Sequence, residues 1–191
     1  HADGTAADAL ARPSAFVGQI DKLALPVKSA PGFLVNAVLA PYMLQAMRGV
    51  DAGVAPAAID AALVAFGMPM GPLELADTVG LDIARAAGEE LAGGQEPPRC
   101  LADRLSRGQL GRKTGQGFYA WRDGKPVKDK ASAAPAGLAA GLIQPLIDAT
   151  RQRVDQGIVA DADLADAGVI FGTGFAPFTG GPLHYQGRTK T

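Results

Sequence analysis

The chain has 191 residues, 48% hydrophobic and 19% charged, with a formal net charge of −1. That near-neutral balance gives nucleic acid or an anionic membrane surface little to hold, and the length supports one domain or two small ones with a real core. A single cysteine, Cys100, excludes an internal disulfide and agrees with a reducing, cytoplasmic setting, while no apolar run is long enough to span a bilayer and no basic-then-apolar leader opens the chain.

The first residue is His1, so the chain reads as processed, tagged or cut from something longer, and His1 receives no functional weight. Thr5 to Gln19 carries Ala6, Ala9, Leu10, Phe16 and Val17 in a helix-compatible pattern interrupted at Pro13. Leu23 to Val27 contains Pro26 and is at most an edge strand. Ser29 to Met47 is the stretch on which the rest depends. Pro31 suits the first turn of a helix, and from Phe33 onward the segment is apolar on nearly every face, as in a helix buried by other helices. Asn36 is the polar exception, an amide that needs partners if buried; by chemistry alone it reads as structural, satisfying loose carbonyls. Pro41 should kink the helix.

Gly49 and Gly53 bracket a turn. Pro56 to Phe66 then sets Ile59, Leu63 and Phe66 on one face of a short helix, with Asp60 on the opposite, solvated side and Gly67 as its cap. Pro72 opens another helix, where Glu74 and Asp77 crowd the first turns and favour the dipole. Leu81–Leu91 is a further helix, residues 93–98 a loop, and Cys100–Arg107 a short helix ending before Gly108. Gly111 to Trp121 is punctuated by glycine, Asp123-Gly124 signals a tight turn, and Lys125–Gly137 reads as a linker.

The pattern then repeats. Pro41 to Gly53 ends in Val50-Asp51-Ala52-Gly53, and Pro145 to Gly157 ends in Val154-Asp155-Gln156-Gly157. Phe66-Gly67 is echoed by Phe171-Gly172, and Met70-Gly71-Pro72-Leu73 by Gly180-Gly181-Pro182-Leu183. A degenerate internal duplication accounts for this order.

Three segments carry a resemblance. Leu23 to Asn36, with Pro31-Gly32-Phe33-Leu34-Val35-Asn36 at its end, resembles the junction of 3-hydroxyacyl-CoA dehydrogenases, where the last strand of an NAD-binding domain runs into an all-helical domain. Gly67 to Asp77 and Leu110 to Tyr119 resemble two further signatures of that family, in the expected order. The family places Ser or Thr where this chain has Ala30, and a basic residue where it has Ala37.

The resemblance implies an all-α fold of tandem helical C-terminal domains, most like the multifunctional fatty-acid β-oxidation α subunit. Its divisions are residues 1–28, a remnant helix and strand of the NAD-binding domain with the junction; 29–124, the first helical domain; 125–137, a linker; and 138–191, the second, degenerate repeat. The parent activity implied is NAD-dependent oxidation of (3S)-3-hydroxyacyl-CoA to 3-oxoacyl-CoA, with acyl-CoA as substrate and a thiolase subunit of a β-oxidation complex as partner. By the same resemblance Asn36 is catalytic, its amide meeting the catalytic His or the substrate oxygen, and Phe33, Met68, Pro69, Met70, Gly71 and Pro72 line the substrate. Their plain alternative is a tight inter-helix turn packed in the core.

The chemistry that such a reaction needs is incomplete in these residues. His1 and His184 stand outside the family's catalytic context, and the Gly111–Gly117 cluster follows a helix, the wrong setting for a pyrophosphate loop. NAD is therefore assigned to the missing NAD-binding domain of the parent, with no cofactor and no metal site in the fragment, which by itself should not turn over. Arg112 and Lys113 read as a solvated pair, and Cys100 as unreactive. Two other readings stand beside this one: a stand-alone helical interaction module with Asn36 structural, and another hydroxyacid dehydrogenase, against which the Gly111 to Tyr119 run argues.

Overall fold

Proline and glycine set the boundaries of most helices in this chain. The computed structural model describes residues 1–91, 96–130 and 134–189. In chain order these form α1 (Ala7–Gln19), α2 (Val35–Asp51), α3 (Pro56–Phe66), α4 (Pro72–Val79), α5 (Leu81–Leu91), α6 (Arg99–Ser106), a hairpin of β1 (Ala120–Arg122) and β2 (Lys125–Val127), then α7 (Leu138–Asp155), α8 (Ala162–Thr173) and α9 (Pro182–Thr189). Pro56 and Pro72 each stand at the first helical position, where a missing N–H costs nothing, and Gly67 closes α3 at φ 116°. The fold is all-α apart from the hairpin, as the sequence implied.

α2 and α7 pack along each other and form the centre of the molecule. Val38, Tyr42, Ala46 and Met47 of α2 and Ile143, Leu146 and Ile147 of α7 are at most 1% exposed. Burying each of the larger side chains contributes about 1.5–3 kcal/mol. The remaining helices cross over: α3 of the first copy packs on α7, and α8 of the second packs on α2. Gly168 and Gly172, one turn apart on α8, let this contact close. A Cβ at Gly168 would collide with Leu25 and Leu34, and one at Gly172 with Val35. Duplicated trios, α2–α3–α4 and α7–α8–α9, thus face each other across the α2–α7 contact.

Several sequence expectations need correction. The helix expected from Ser29 begins at Val35, because Gly32 (φ 69°) and Phe33 (φ 48°) turn the chain just after Pro31. Leu23–Val27 forms no strand: no neighbouring strand offers a ladder, and the next backbone donors, on Lys28 and Ser29, go singly to Ile158 and His1 carbonyls. Lys125–Val127, expected to begin a linker, is β2, paired with β1 through a two-residue turn with both Asp123 (φ 50°) and Gly124 (φ 74°) left-handed. The echo of Phe66-Gly67 also shifts. α8 is capped by Gly174 (φ 73°), so the counterpart of Gly67 is Gly174, while Gly172 lies inside the helix. The loop expected at 93–98 lies partly outside the described residues.

Candidate functional site

Asp60 and Asp77 hold the first copy together from within. Asp60 is 1% exposed and its carboxylate accepts from Leu73 N (2.9 Å), Glu74 N (3.0 Å) and Tyr119 Oη (2.8 Å). It therefore caps the start of α4 from the side of α3, satisfying donors the helix leaves free. Gly71 makes room for it: a Cβ there would occupy the space of the Asp60 carboxyl group. Lys128, just past β2, lies 3.4 Å from Asp60 and 2.6 Å from Glu74, over the Tyr119 ring. The solvated position expected for Asp60 is thus overturned. α4 and Tyr119 cover the side of α3 that carries Asp60, while Ala61, Val64 and Ala65 are exposed.

Asp77, fully buried on α4, accepts from Phe118 N (2.8 Å), Tyr119 N (3.0 Å) and Trp121 Nε1 (3.0 Å). Its role is to anchor the arm 111–121, beyond the favourable dipole its position suggested. Gly111 and Gly117 approach it so closely that a Cβ at either would collide with Asp77 itself. Arg104 completes the anchor, its guanidinium 4.1 Å from the Phe118 ring centre and its Nε donating to the Gly117 carbonyl. Burial pushes the carboxyl pKa values of Asp60 and Asp77 up, against the hydrogen bonds that pull them down. Burial beside Asp60 likewise pushes Tyr119 up.

With α4 fixed in this way, a groove forms between α2, α4 and α5. Asn36, Leu39, Ala40 and Met43 supply one wall, Leu75 and Val79 the second, and Ile83, Ala84 and Ala87 the third, around about 100 Å³. Asn36 is its one amide. It is exposed, contrary to the buried position expected, because α2 starts only one residue earlier and its first turn lies at the surface. Among the described residues no hydrogen bond occupies its side chain, leaving its donors and acceptor open to a ligand. Val79 (41% exposed) and Ile83 (53%) form an apolar rim.

The other expected site residues fall elsewhere. Phe33 is 51% exposed on the turn before α2. Met68 is in the core, Pro69 is exposed and packs on Gly174 of the second copy, Met70 is half-buried, and Gly71 and Pro72 are buried beside Asp60. None of Met68 to Pro72 lines the groove below Asn36; they form the packed turn between α3 and α4. The groove residues on α2 carried a legible signal, since positions 36, 39, 40 and 43 share one helix face. Those on α4 and α5 did not, because they depend on how α5 docks.

Cys100 donates its thiol to the Met47 carbonyl, and burial pushes it up to about 12, so it stays a thiol. Lys113 pairs with Asp82 at 2.6 Å on the surface. His184 is exposed at the start of α9, where its backbone N–H donates to Asp166. Among the described residues no group of three His, Cys, Asp or Glu is arranged to hold a metal ion.

Residues 32–121 match the family profile described as 3-hydroxyacyl-CoA dehydrogenase, C-terminal domain. The chain is 36% identical to the fatty acid oxidation complex subunit alpha of Shewanella sp. (strain ANA-3), over 95% of this chain and 28% of that protein. It thus spans less than a third of that curated relative's length. The crystal structure of (S)-3-hydroxybutyryl-CoA dehydrogenase from Ralstonia eutropha is 34% identical, with a TM-score of 0.58 over 62% of this chain and 44% of that one. The 3-hydroxybutyryl-CoA dehydrogenase of Escherichia coli K12 shares the fold over 99% of this chain and 59% of that one, with a TM-score of 0.78 at 21% identity.

Proposed function

We propose, from the match of residues 32–121 to the profile of 3-hydroxyacyl-CoA dehydrogenase C-terminal domains, that this chain is the substrate-side, helical part of an NAD-dependent (3S)-3-hydroxyacyl-CoA dehydrogenase of fatty-acid β-oxidation. The observation that carries this reading is Asn36: an exposed amide, unoccupied by any described residue, at the head of an apolar groove. Such an amide donates to the C3 oxygen of the substrate and favours the charge that develops there, while an apolar groove beneath suits a hydrocarbon tail.

We assign no NAD site to the glycine run of this chain. The glycine run 111–117 is folded against Asp77, which takes the backbone donors of Phe118 and Tyr119, so it cannot cradle a pyrophosphate. We place the nucleotide, and the general base that takes the hydroxyl proton, on another part of the longer enzyme. Acyl-CoA is then the substrate, and a thiolase subunit the partner in a fatty acid oxidation complex, the assembly named for the Shewanella relative. We place the enzyme in the cytoplasm; no helix among the described residues is long and apolar enough to cross a membrane.

Two measurements test this. This chain by itself should show no NADH consumption with a 3-oxoacyl-CoA, and clear turnover would overturn the division of labour. In the longest natural form, Asn36→Ala should lower kcat by about a hundredfold, the scale of losing one donor to a developing oxyanion. The exposed apolar rim of Phe33, Val79 and Ile83 also suits a helical interaction module without catalysis. An intact rate in Asn36→Ala with unchanged assembly would favour that module.

A further inference from the structure

We propose that the groove below Asn36 receives the part of the acyl chain beyond C3, and that Met43 closes its far end and sets the chain length accepted. This rests on the dehydrogenase reading and adds to it a boundary for the substrate. Asn36 and Met43 are seven residues apart on α2, two turns and about 10 Å, on the same face. A C3 oxygen at the Asn36 amide therefore directs the tail along Leu39 and Ala40 toward Met43. Every other lining group is apolar, so the only hydrogen-bonding side chain stands where the substrate's oxygen would be.

Size gives the limit. The groove is small, about 100 Å³, and suits a short tail better than a long one. Three alanines, Ala40, Ala84 and Ala87, keep it open, and a larger residue at any of them would fill it. Met43 is 7% exposed and its thioether is flexible, so it forms a soft stop rather than a rigid wall. Among the described residues the second copy lacks the walls of such a groove. The α7 residues four and seven positions beyond Ala140, the counterpart of Asn36, are Gln144 and Ile147, and no described helix of that copy corresponds to α5.

The test is the ratio of kcat/KM for 3-oxohexanoyl-CoA to that for 3-oxobutanoyl-CoA, measured in the longest natural form. Ala87→Leu adds three carbons to the groove and should lower this ratio tenfold or more, at about fourfold per displaced methylene. Met43→Ala should raise the ratio of 3-oxodecanoyl-CoA to 3-oxohexanoyl-CoA by a similar factor. Should Ala87→Leu not fold, Ala87→Val asks the same question with less added volume. Ratios unchanged from wild type in both a filled and an opened groove would overturn the proposal. The dehydrogenase reading fails separately, through an undiminished rate in Asn36→Ala.

Discussion

α2 and α7 share a sequence pattern and have opposite surroundings. α2 is flanked by α5 and α6, and it presents Ala40, Leu44 and Met47 to them, with Leu44 against Gly88 and the Met47 carbonyl accepting the Cys100 thiol. At the same positions α7 carries Gln144, Asp148 and Arg151, all exposed, and no described helices of its copy stand where α5 and α6 would. The apolar residues follow the partner helices. Where no described helix covers α7, these positions are polar. What persists in both copies is the lock at the third helix. Asp166 accepts from Leu183 N (2.8 Å) and His184 N (3.0 Å) as Asp60 does from Leu73 and Glu74, and Gly181 yields space to Asp166 as Gly71 does to Asp60.

The largest difference between the copies should appear when each lock is removed. Asp60→Ala strands three donors, two of them buried, and loses the Lys128 contact, and should cost about 3–5 kcal/mol in urea unfolding. Asp166→Ala strands two backbone donors, one buried and one part-buried, and should cost about 1–3 kcal/mol. Equal losses would show that the arm and hairpin add nothing to the first lock. Next comes exchange of the flanking residues. Leu44→Asp sets an unpaired charge against Gly88 and should cost about 3 kcal/mol, whereas Asp148→Leu on exposed α7 should stay within about 0.5 kcal/mol.

The smallest effect is in pH dependence. Burial raises Asp60 above its usual 3.8 in the folded chain. The fold therefore binds this proton more readily than the unfolded chain does, and the associated stability is full below 3.8 and lost as pH rises through the raised value. Wild type should accordingly lose ground to Asp60→Asn as pH rises from about 4 toward neutrality, measured by paired thermal melts. The reverse trend would mean that Lys128 and the three donors outweigh burial.

Much of the fold could be read along the chain where punctuation is local. Pro56 and Gly67 bound α3, and Asp123-Gly124 is the hairpin turn, as each residue type predicts. Errors arose where a residue's role depends on distant partners. Asp60 looks solvated on a one-faced helix because Tyr119, fifty-nine residues later, covers it. Pro31 suits a helix start, yet the Gly32–Phe33 turn postpones α2 to Val35, and Lys125-Pro126-Val127 is too short to declare itself a strand. At the site, Asn36 was legible through its family context, and its groove-mates on α2 through helical spacing. Leu75, Val79, Ile83 and Ala87 were not, since only the docking of α4 and α5 brings them beneath it.

The contact between α2 and α7 lies within one covalent chain. Two copies on separate chains would have to find each other, and their union would weaken on dilution. Tethering makes the encounter a first-order event at a high effective concentration. The midpoint of unfolding should then be independent of how much protein is in the tube, and the second copy serves the first as a partner that never dissociates.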